Sequence, residues 1–179
     1  MRVFISGGCK NGKSTFAQRV AKKLAGDGPL YYLATMEPHD QEDMDRIKRH
    51  LKEREGWGFE TIECGRNILS CLNKGKPEGT YLLDSVTALL SNEMFHMDGT
   101  MDFSAPQHVG RGLIELSKMV HNIVFVSDYI YSDASIYDNA TEQYRRGLAH
   151  IDRLLARECE CVIEVCGGNI IYHKGGKAL

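Results

Sequence analysis

The stretch RVFISGGCKNGKS, residues 2–14, joins an apolar run to a glycine-rich loop, and an amphipathic segment follows from residue 15 to 24. This order predicts a strand, a tight loop and a helix. The loop has the spacing G-x-x-x-x-G-K-[ST], in which glycines let the backbone wrap around a phosphate while successive N–H groups and the helix N-terminus supply positive potential. The stretch therefore predicts a nucleotide-phosphate site. Its residues are Gly7, Gly8, Cys9, Lys10, Asn11, Gly12, Lys13 and Ser14.

Two residues at the end of this loop have defined tasks in such a site. Lys13 is expected to reach the β- and γ-phosphates, and the Ser14 hydroxyl is expected to bind Mg²⁺. The alternative is a chance glycine turn after a strand, which the flanking strand and helix disfavour. We therefore expect GTP or ATP as a substrate and Mg²⁺ as a cofactor.

Length, charge and hydropathy narrow the class of protein. With 179 residues, we expect a single nucleotide-binding domain over residues 1–179. The net charge is −2 and no long tract carries one sign, so nothing favours a nucleic-acid partner. The chain begins with a strand rather than a signal peptide, and no apolar run approaches the roughly 18 residues of a membrane helix. We expect a cytoplasmic protein without a membrane span.

The cysteines show no C-x-x-C pairing that would indicate a metal site. In a reducing compartment, buried free thiols are expected rather than disulfides. The residues are Cys9, Cys64, Cys71, Cys159, Cys161 and Cys166.

Strands and helices alternate along nearly the whole chain. Apolar runs predict further strands at 30–34, 59–63, 81–84, 123–126, 162–165 and 170–172, and helical patterns cover 39–54, 67–73, 85–95, 107–121 and 141–157. The alternation predicts an α/β fold with one doubly wound, mostly parallel sheet and helices on both faces. The last two strands should form a C-terminal antiparallel hairpin. Ligands should then bind at the loops 7–14 and 34–39 and after Asp84 and Ser127.

Asp84 ends the apolar strand at 81–84. A carboxylate at this place in nucleotide-phosphate enzymes holds Mg²⁺ directly or through water. The alternative is that Asp84 caps the helix that follows, and the two roles can coexist.

The helix predicted at 39–54 has an acidic first half and a basic second half. Complementarity with the helix macrodipole already explains that distribution. His50, however, stands four residues after Arg46 and four before Arg54, so the three side chains can share one face. A neutral imidazole there could attack a phosphorus while the arginines hold the phosphate oxygens. A solvated helix histidine is the other interpretation.

The order of these motifs resembles the bifunctional adenosylcobinamide kinase/adenosylcobinamide-phosphate guanylyltransferase family of cobalamin biosynthesis. The resemblance covers about the first half of the chain and is carried by the loop 7–14, Tyr32-Leu33-Ala34-Thr35, Asp43-Met44, Arg46-Ile47, His50, Arg54, Thr61-x-Glu63 and Leu82-Leu83-Asp84.

The resemblance implies a RecA-like P-loop NTPase fold, assembly as a homotrimer and a corrinoid substrate. It implies that His50 takes GMP from GTP as a covalent intermediate and passes it to the corrinoid phosphate, with Lys13 as the second catalytic residue. It further implies nucleotide contacts from Ala34, Thr35, Met36, Leu51, Lys52, Glu53, Arg54, Glu63 and Asp84.

The second half departs from the family pattern. Residues 128–137 read DYIYSDASIY where the family usually begins with an Asn-Glu-Val-Gly-like segment. Tyr129, Tyr131 and Tyr137 in this stretch could pack at a subunit contact or contact a ligand. The departures in the following helix are Arg146, Ala149, Asp152 and Arg153, where Asp, Gly, Asn and Gln are usual.

Two other functions remain open at this point. A plain P-loop small-molecule kinase would use Lys13, Ser14 and Asp84 but would have no need of His50. A diverged GTP-binding module would bind the nucleotide and transfer nothing. Label from GTP carrying a radioactive α-phosphate would stay on the chain only in the guanylyltransferase.

Overall fold

A computed structural model describes residues 1–38 and 40–176. Within its second helix, the side chains of Glu42, Asp43, Arg46, His50 and Glu53 lie outside the described part. The strands are β1 (Arg2–Gly7), β2 (Leu30–Ala34), β3 (Glu60–Glu63), β4 (Thr80–Asp84), β5 (Asn122–Asp128), β6 (Cys161–Cys166) and β7 (Asn169–Lys174). The helices are α1 (Lys13–Ala25), α2 (Gln41–Glu53), α3 (Val86–Met94), α4 (Ala105–Met119) and α5 (Asn139–Glu158), with a 3₁₀ helix at Ile68–Asn73.

The strands form one sheet in the order β3-β2-β4-β5-β1-β6-β7. Strands β1 to β6 run parallel, and β7 pairs antiparallel with β6 through a tight turn at Gly167 and Gly168. The predicted mostly parallel sheet with a C-terminal hairpin is confirmed. Because parallel strands end at the same edge, the loops that follow β1, β2, β4 and β5 lie together.

Helices cover both faces of this sheet, which is why the central strands are buried along their whole length. Val3 and Ile5 of β1 pack in one apolar cluster with Ala17, Val20 and Ala21 of α1. Phe4, between them, points to the opposite face, where residues of α3, α4 and α5 form a second cluster. The sheet is therefore doubly wound, as predicted.

The start of α3 shows which residue caps this helix. Ser85 is the N-cap residue, and its Oγ accepts a hydrogen bond from the Ala88 N–H at 3.2 Å. The prediction that Asp84 caps this helix is thus wrong, because the serine one residue later satisfies the free N–H group. The Asp84 carboxylate is available for another role.

The cysteines are all free, but they are not all buried. Cys64, Cys71, Cys159 and Cys161 are buried, as expected. Cys9 and Cys166 are exposed because Cys9 lies in the glycine-rich loop and Cys166 ends β6 at the hairpin turn. Across residues 1–38 and 40–176, no helix is long and apolar enough to cross a membrane.

Candidate functional site

A cleft of about 670 Å³ lies at the carboxyl edge of the sheet. Its walls come from the ends of β2, β3, β4 and β5 and from α2, α3 and α5. Of the predicted site residues, the structure brings Ala34, Met36, Glu63 and Asp84 together in this cleft. The cleft therefore joins three of the predicted ligand-binding regions, those after β2, β4 and β5, with the helix that carries the candidate histidine.

The glycine-rich loop between β1 and α1 keeps its shape through two glycines and one asparagine. A Cβ on Gly7 would clash with the Val165 carbonyl oxygen of β6, and Gly12 has a φ of 87° just before α1. Asn11 donates from Nδ2 to that same carbonyl oxygen, and its Oδ1 accepts from the Lys13 N–H at 3.3 Å. These contacts hold the loop around the N-terminus of α1, where backbone N–H groups can bind phosphate.

Lys13 is the first residue of α1, and its side chain is only 7% exposed. Its Nζ donates to the Gly8 carbonyl oxygen at 3.1 Å and lies 2.5 Å from Oδ1 of Asp128. The Cys9 thiol lies 3.7 Å from the same carboxylate oxygen. Asp128 thus holds the ammonium group that the motif assigns to a nucleotide.

Asp128 is the residue that the sequence reasoning missed. It is the last residue of β5, and it lines the cleft together with Asp84, the last residue of β4. The signal was present in the sequence, since both aspartates follow fully apolar strands. Its contact with Lys13 depends on β5 lying beside β1, and local sequence patterns do not predict which strands are neighbours in the sheet.

Asp84 is linked to the C-terminal end of α2 through a tyrosine. The Tyr32 hydroxyl donates to Oδ2 of Asp84 at 2.9 Å, and the Arg54 guanidinium lies 3.5 Å from the centroid of the Tyr32 ring. Burial, followed by the Asp84 charge, raises the pKa of Tyr32 well above its usual value, so the hydroxyl remains a donor. Arg54, itself buried, also donates to the Thr61 hydroxyl at 3.4 Å.

Thr35 connects the end of β2 to the start of α3. Its hydroxyl donates to the Ser85 carbonyl oxygen at 2.8 Å and accepts from the Ser85 N–H at 2.7 Å. Asn92 of α3 donates to the Thr35 and Gly65 carbonyl oxygens at 2.7 and 2.9 Å. The Thr35 side chain is fully buried, so these bonds fix the floor of the cleft between two strands.

Helix α2 borders the cleft rather than packing into the core. Met44 and Ile47 line the cleft, and Met44 is 42% exposed. Leu51, in the last turn of α2, is 47% exposed and lines a neighbouring open hollow with Lys52 and Arg54. The sequence range of α2 includes His50 and Glu53, but their side chains lie outside the described residues, so their roles remain predictions.

The loop from residue 129 to 138 leaves β5 beside the cleft and is fastened to α5. The Ser127 and Tyr131 hydroxyls donate to Oδ2 of Asp152 at 3.0 and 3.2 Å, while Oδ1 of Asp152 has no hydrogen-bond partner among the described residues. Burial is the main reason that the pKa of Asp152 rises to about 7. Arg145 pairs with Glu142 at 2.9 Å and lies 4.4 Å from the centroid of the Tyr137 ring.

Three solved structures are similar to the whole chain in fold. An ATPase domain is 12% identical with a TM-score of 0.53, over 97% of this chain and 76% of that domain. The flagellar accessory protein FlaH from Methanocaldococcus jannaschii is 13% identical with a TM-score of 0.50, over 98% of this chain and 78% of that one. The Pyrococcus horikoshii OT3 protein of Project ID PH0250 is 10% identical with a TM-score of 0.54, over 99% of this chain and 87% of that one. At these identities the likeness concerns the fold alone, and it confirms a P-loop ATPase-type fold.

Comparison of the sequence with family models gives a match that spans both halves of the chain. A search of curated proteins by sequence gives no match. The model that matches residues 3–172 is CobU, described as cobinamide kinase / cobinamide phosphate guanyltransferase. The match includes the divergent segment after β5, and it confirms the resemblance that the first half indicated. The chain therefore belongs to the cobinamide kinase / cobinamide phosphate guanyltransferase family, the nucleotide-dependent transferases of cobalamin biosynthesis.

Proposed function

We propose that this enzyme transfers GMP from GTP to a corrinoid phosphate through a covalent intermediate on His50, after phosphorylating the corrinoid alcohol at the same cleft. The observation that carries the proposal is the contact series Arg54, Tyr32 and Asp84, which ties α2 to the carboxylate of the cleft. The family has both activities. The contact series brings the helix that carries His50, proposed for GMP transfer, next to Asp84, proposed for Mg²⁺ in phosphoryl transfer.

The nucleotide phosphates would occupy the loop 7–14 at the N-terminus of α1. Lys13 would exchange its contacts with Gly8 and Asp128 for the β- and γ-phosphates, since these phosphates carry more negative charge than the single carboxylate and the neutral carbonyl that they replace. Further nucleotide contacts are proposed for residues along the cleft and the neighbouring hollow: Ala34, Thr35, Met36, Leu51, Lys52, Glu53, Arg54, Glu63 and Asp84.

Ser14 and Asp84 are the proposed protein groups for Mg²⁺. A hydroxyl and a carboxylate are oxygen ligands of the kind that this ion prefers, and they leave most of its six positions to phosphate oxygens and waters. Asp84 fits because it is not the cap of α3 and its Oδ2 already has a neutral donor in Tyr32. When bound, the ion would neutralise charge on the phosphates during transfer.

His50 precedes Arg54 by four residues, which is about 6 Å along a helix axis. Arg54 is buried against Tyr32, so the end of α2 is held beside the cleft rather than free in solvent. Met44 and Ile47, six and three residues before His50 in the same helix, line the cleft. A helix that borders the cleft and is held at its C-terminal end by Arg54 supports a role for its residues at the α-phosphate of bound GTP.

The chemistry would take two steps. An imidazole nitrogen of His50 attacks the α-phosphorus, a P–N bond forms, the P–O bond to the β-phosphate breaks, and pyrophosphate leaves. A corrinoid phosphate oxygen then attacks the same phosphorus and releases the histidine. Histidine suits this role because its unperturbed pKa of about 6.5 leaves it largely neutral at pH 7.

We also propose a homotrimer, in line with the family resemblance, and a cytoplasmic location. Support for assembly comes from the loop after β5, where Tyr129, Ile136 and Tyr137 are exposed apolar side chains on the surface of one chain.

The test uses GTP with a radioactive α-phosphate and the variants His50→Ala and His150→Ala. His150 is an exposed helical histidine of α5 and serves as the matched control. We expect acid-labile, base-stable label on the wild type and on His150→Ala, and none on His50→Ala. Kinase activity should persist in His50→Ala because γ-phosphoryl transfer needs no protein nucleophile.

Three outcomes would overturn the proposal. Label that remains on His50→Ala would assign the intermediate to another residue. A wild type that binds GTP and phosphorylates the corrinoid but never carries label would be a plain kinase, and one that binds GTP and transfers nothing would be a binding module.

A further inference from the structure

We propose that Asp128 is the catalytic base of the kinase step, which accepts the proton of the corrinoid alcohol as its oxygen attacks the γ-phosphorus. The proposal rests on the kinase activity of the family and on the position of Lys13. It does not depend on the covalent histidine, so the two proposals can fail separately.

The position of Asp128 follows from the strand order. Strand β5 lies between β4 and β1, so its last residue lies between Asp84 and the phosphate loop. The Asp128 N–H donates to the Thr87 hydroxyl of α3 at 2.9 Å, and the next N–H, of Tyr129, donates to the Gly7 carbonyl oxygen at 2.9 Å. The carboxylate is thus carried by backbone that is fixed on both sides.

The carboxylate points at the lysine that motif chemistry assigns to the γ-phosphate. Its Oδ1 lies 2.5 Å from Nζ of Lys13, and the side chain is 19% exposed toward the cleft that it lines. When the phosphates draw the ammonium group away, Oδ1 of Asp128 loses its partner. This oxygen would then lie close to the γ-phosphorus, separated from it by about the width of the ammonium group. A general base has to lie within hydrogen-bond reach of the proton it takes, and the proposal therefore assigns Asp128 to the side of the γ-phosphate from which the alcohol attacks.

Asp84 is a poorer choice for the same role. Its Oδ2 accepts the Tyr32 hydroxyl, and the cation-bound carboxylate of P-loop enzymes is occupied by metal or its waters. The hydroxyl of Tyr144, on the same wall as Thr87, donates to the Thr87 carbonyl oxygen at 2.9 Å, and burial raises its pKa above the usual value. It therefore remains a donor and leaves proton acceptance to the aspartate.

The step balances as follows. The alcohol oxygen forms a bond to the γ-phosphorus, its proton passes to a carboxylate oxygen of Asp128, and the bond from the γ-phosphorus to the bridging oxygen breaks. The nucleoside diphosphate leaves with that electron pair. Asp128 returns its proton to water when the products leave.

The experiment measures transfer of the γ-phosphate from labelled GTP or ATP to cobinamide in Asp128→Asn, Asp128→Ala and Asp128→Glu. Asp27→Asn, an exposed aspartate in the turn after α1, is the charge-matched control. We expect kcat to fall by about 10²-fold or more in Asp128→Asn and Asp128→Ala, the range typical for loss of a general base. Nucleotide Kd by calorimetry should be unchanged or lower, because Lys13 loses its competing partner. Formate should restore activity to Asp128→Ala.

A merely structural role would give a different set of results. If nucleotide binding weakens to the same extent as kcat falls, Asp128 only holds Lys13 in position. If kcat stays within threefold of the wild type, Asp128 neither acts as the base nor positions Lys13. Failure of formate to restore Asp128→Ala would also overturn the proposal. If Asp128→Asn and Asp128→Ala unfold, Asp128→Glu decides: the base role requires a lower kcat at unchanged Kd, because the carboxylate is retained but displaced.

Discussion

Replacing Asp152 with asparagine should stabilise the protein at neutral and alkaline pH. Asp152 is 2% exposed and its Oδ2 accepts the Ser127 and Tyr131 hydroxyls, whereas its Oδ1 has no hydrogen-bond partner within the part of the chain that the structure describes. Burial raises its pKa from 3.8 to about 7, a difference of about three units. At 1.36 kcal/mol a unit, ionising this group in the folded protein costs up to about 4 kcal/mol more than in the unfolded chain.

The sign of the pH dependence follows from that rise. Between pH 4 and pH 7 the folded protein holds a proton on Asp152 that the unfolded chain has lost, so this group makes the free energy of unfolding fall as pH increases. Below about pH 4 the group is neutral in both states and the penalty vanishes. Asparagine has no charge to bury and can still accept both hydroxyls through its Oδ1.

The assay is urea unfolding of the wild type and Asp152→Asn at pH 4.5, 6 and 8, with Asp27→Asn as the exposed control. The difference in free energy of unfolding should be small at pH 4.5 and should grow to an upper limit of about 4 kcal/mol at pH 8. A constant difference across this range, or an equal trend in the Asp27→Asn variant, would refute the argument that burial of a charge sets the effect.

Three other predictions concern the cleft and the assembly. Lys13→Ala should weaken GTP binding in calorimetry and abolish transfer while the protein stays folded, since the lysine is not part of the apolar core and its partner Asp128 lines the cleft; equal affinity would contradict this. Asp84→Asn should lower the transfer rate by tenfold or more, with the larger loss at limiting Mg²⁺, and an unchanged Mg²⁺ titration would remove Asp84 from the metal site. Light scattering at micromolar concentration should give about three times 20.1 kDa, and a monomer mass would exclude the trimer.

The fold could be predicted because its signals are local. The strands are continuous apolar runs, and the helices have clear periodicity, so most predicted ends lie within two residues of the observed ones. The helix predicted at 39–54 is α2 at Gln41–Glu53, and His39 lies outside the described residues. Met44 and Leu51 of this helix are over 40% exposed because they line the cleft and the hollow instead of packing in the core.

The site was harder to predict because its contacts join distant parts of the chain. The loop 7–14 and Asp84 could be found from spacing and strand ends alone. The pair of Lys13 with Asp128 spans 115 residues, and the stacking of Arg54 on Tyr32 depends on how the end of α2 returns to β2. Neither contact has a periodic signature. Local capping preference likewise could not separate Asp84 from Ser85, since both residue types favour that position.

The strand order also sets the distance between the groups of the site. Because β5 separates β1 from β4, and neighbouring strands lie about 4.8 Å apart, the phosphate loop and Asp84 stand about 10 Å apart across the sheet edge. Asp128 ends β5, the strand in the middle, so a substitution there leaves the positions of the phosphate loop and of Asp84 unchanged. Under the proposed base role, substitutions at this strand end would alter activation of the acceptor while the strands that carry the phosphate loop and Asp84 keep their separation.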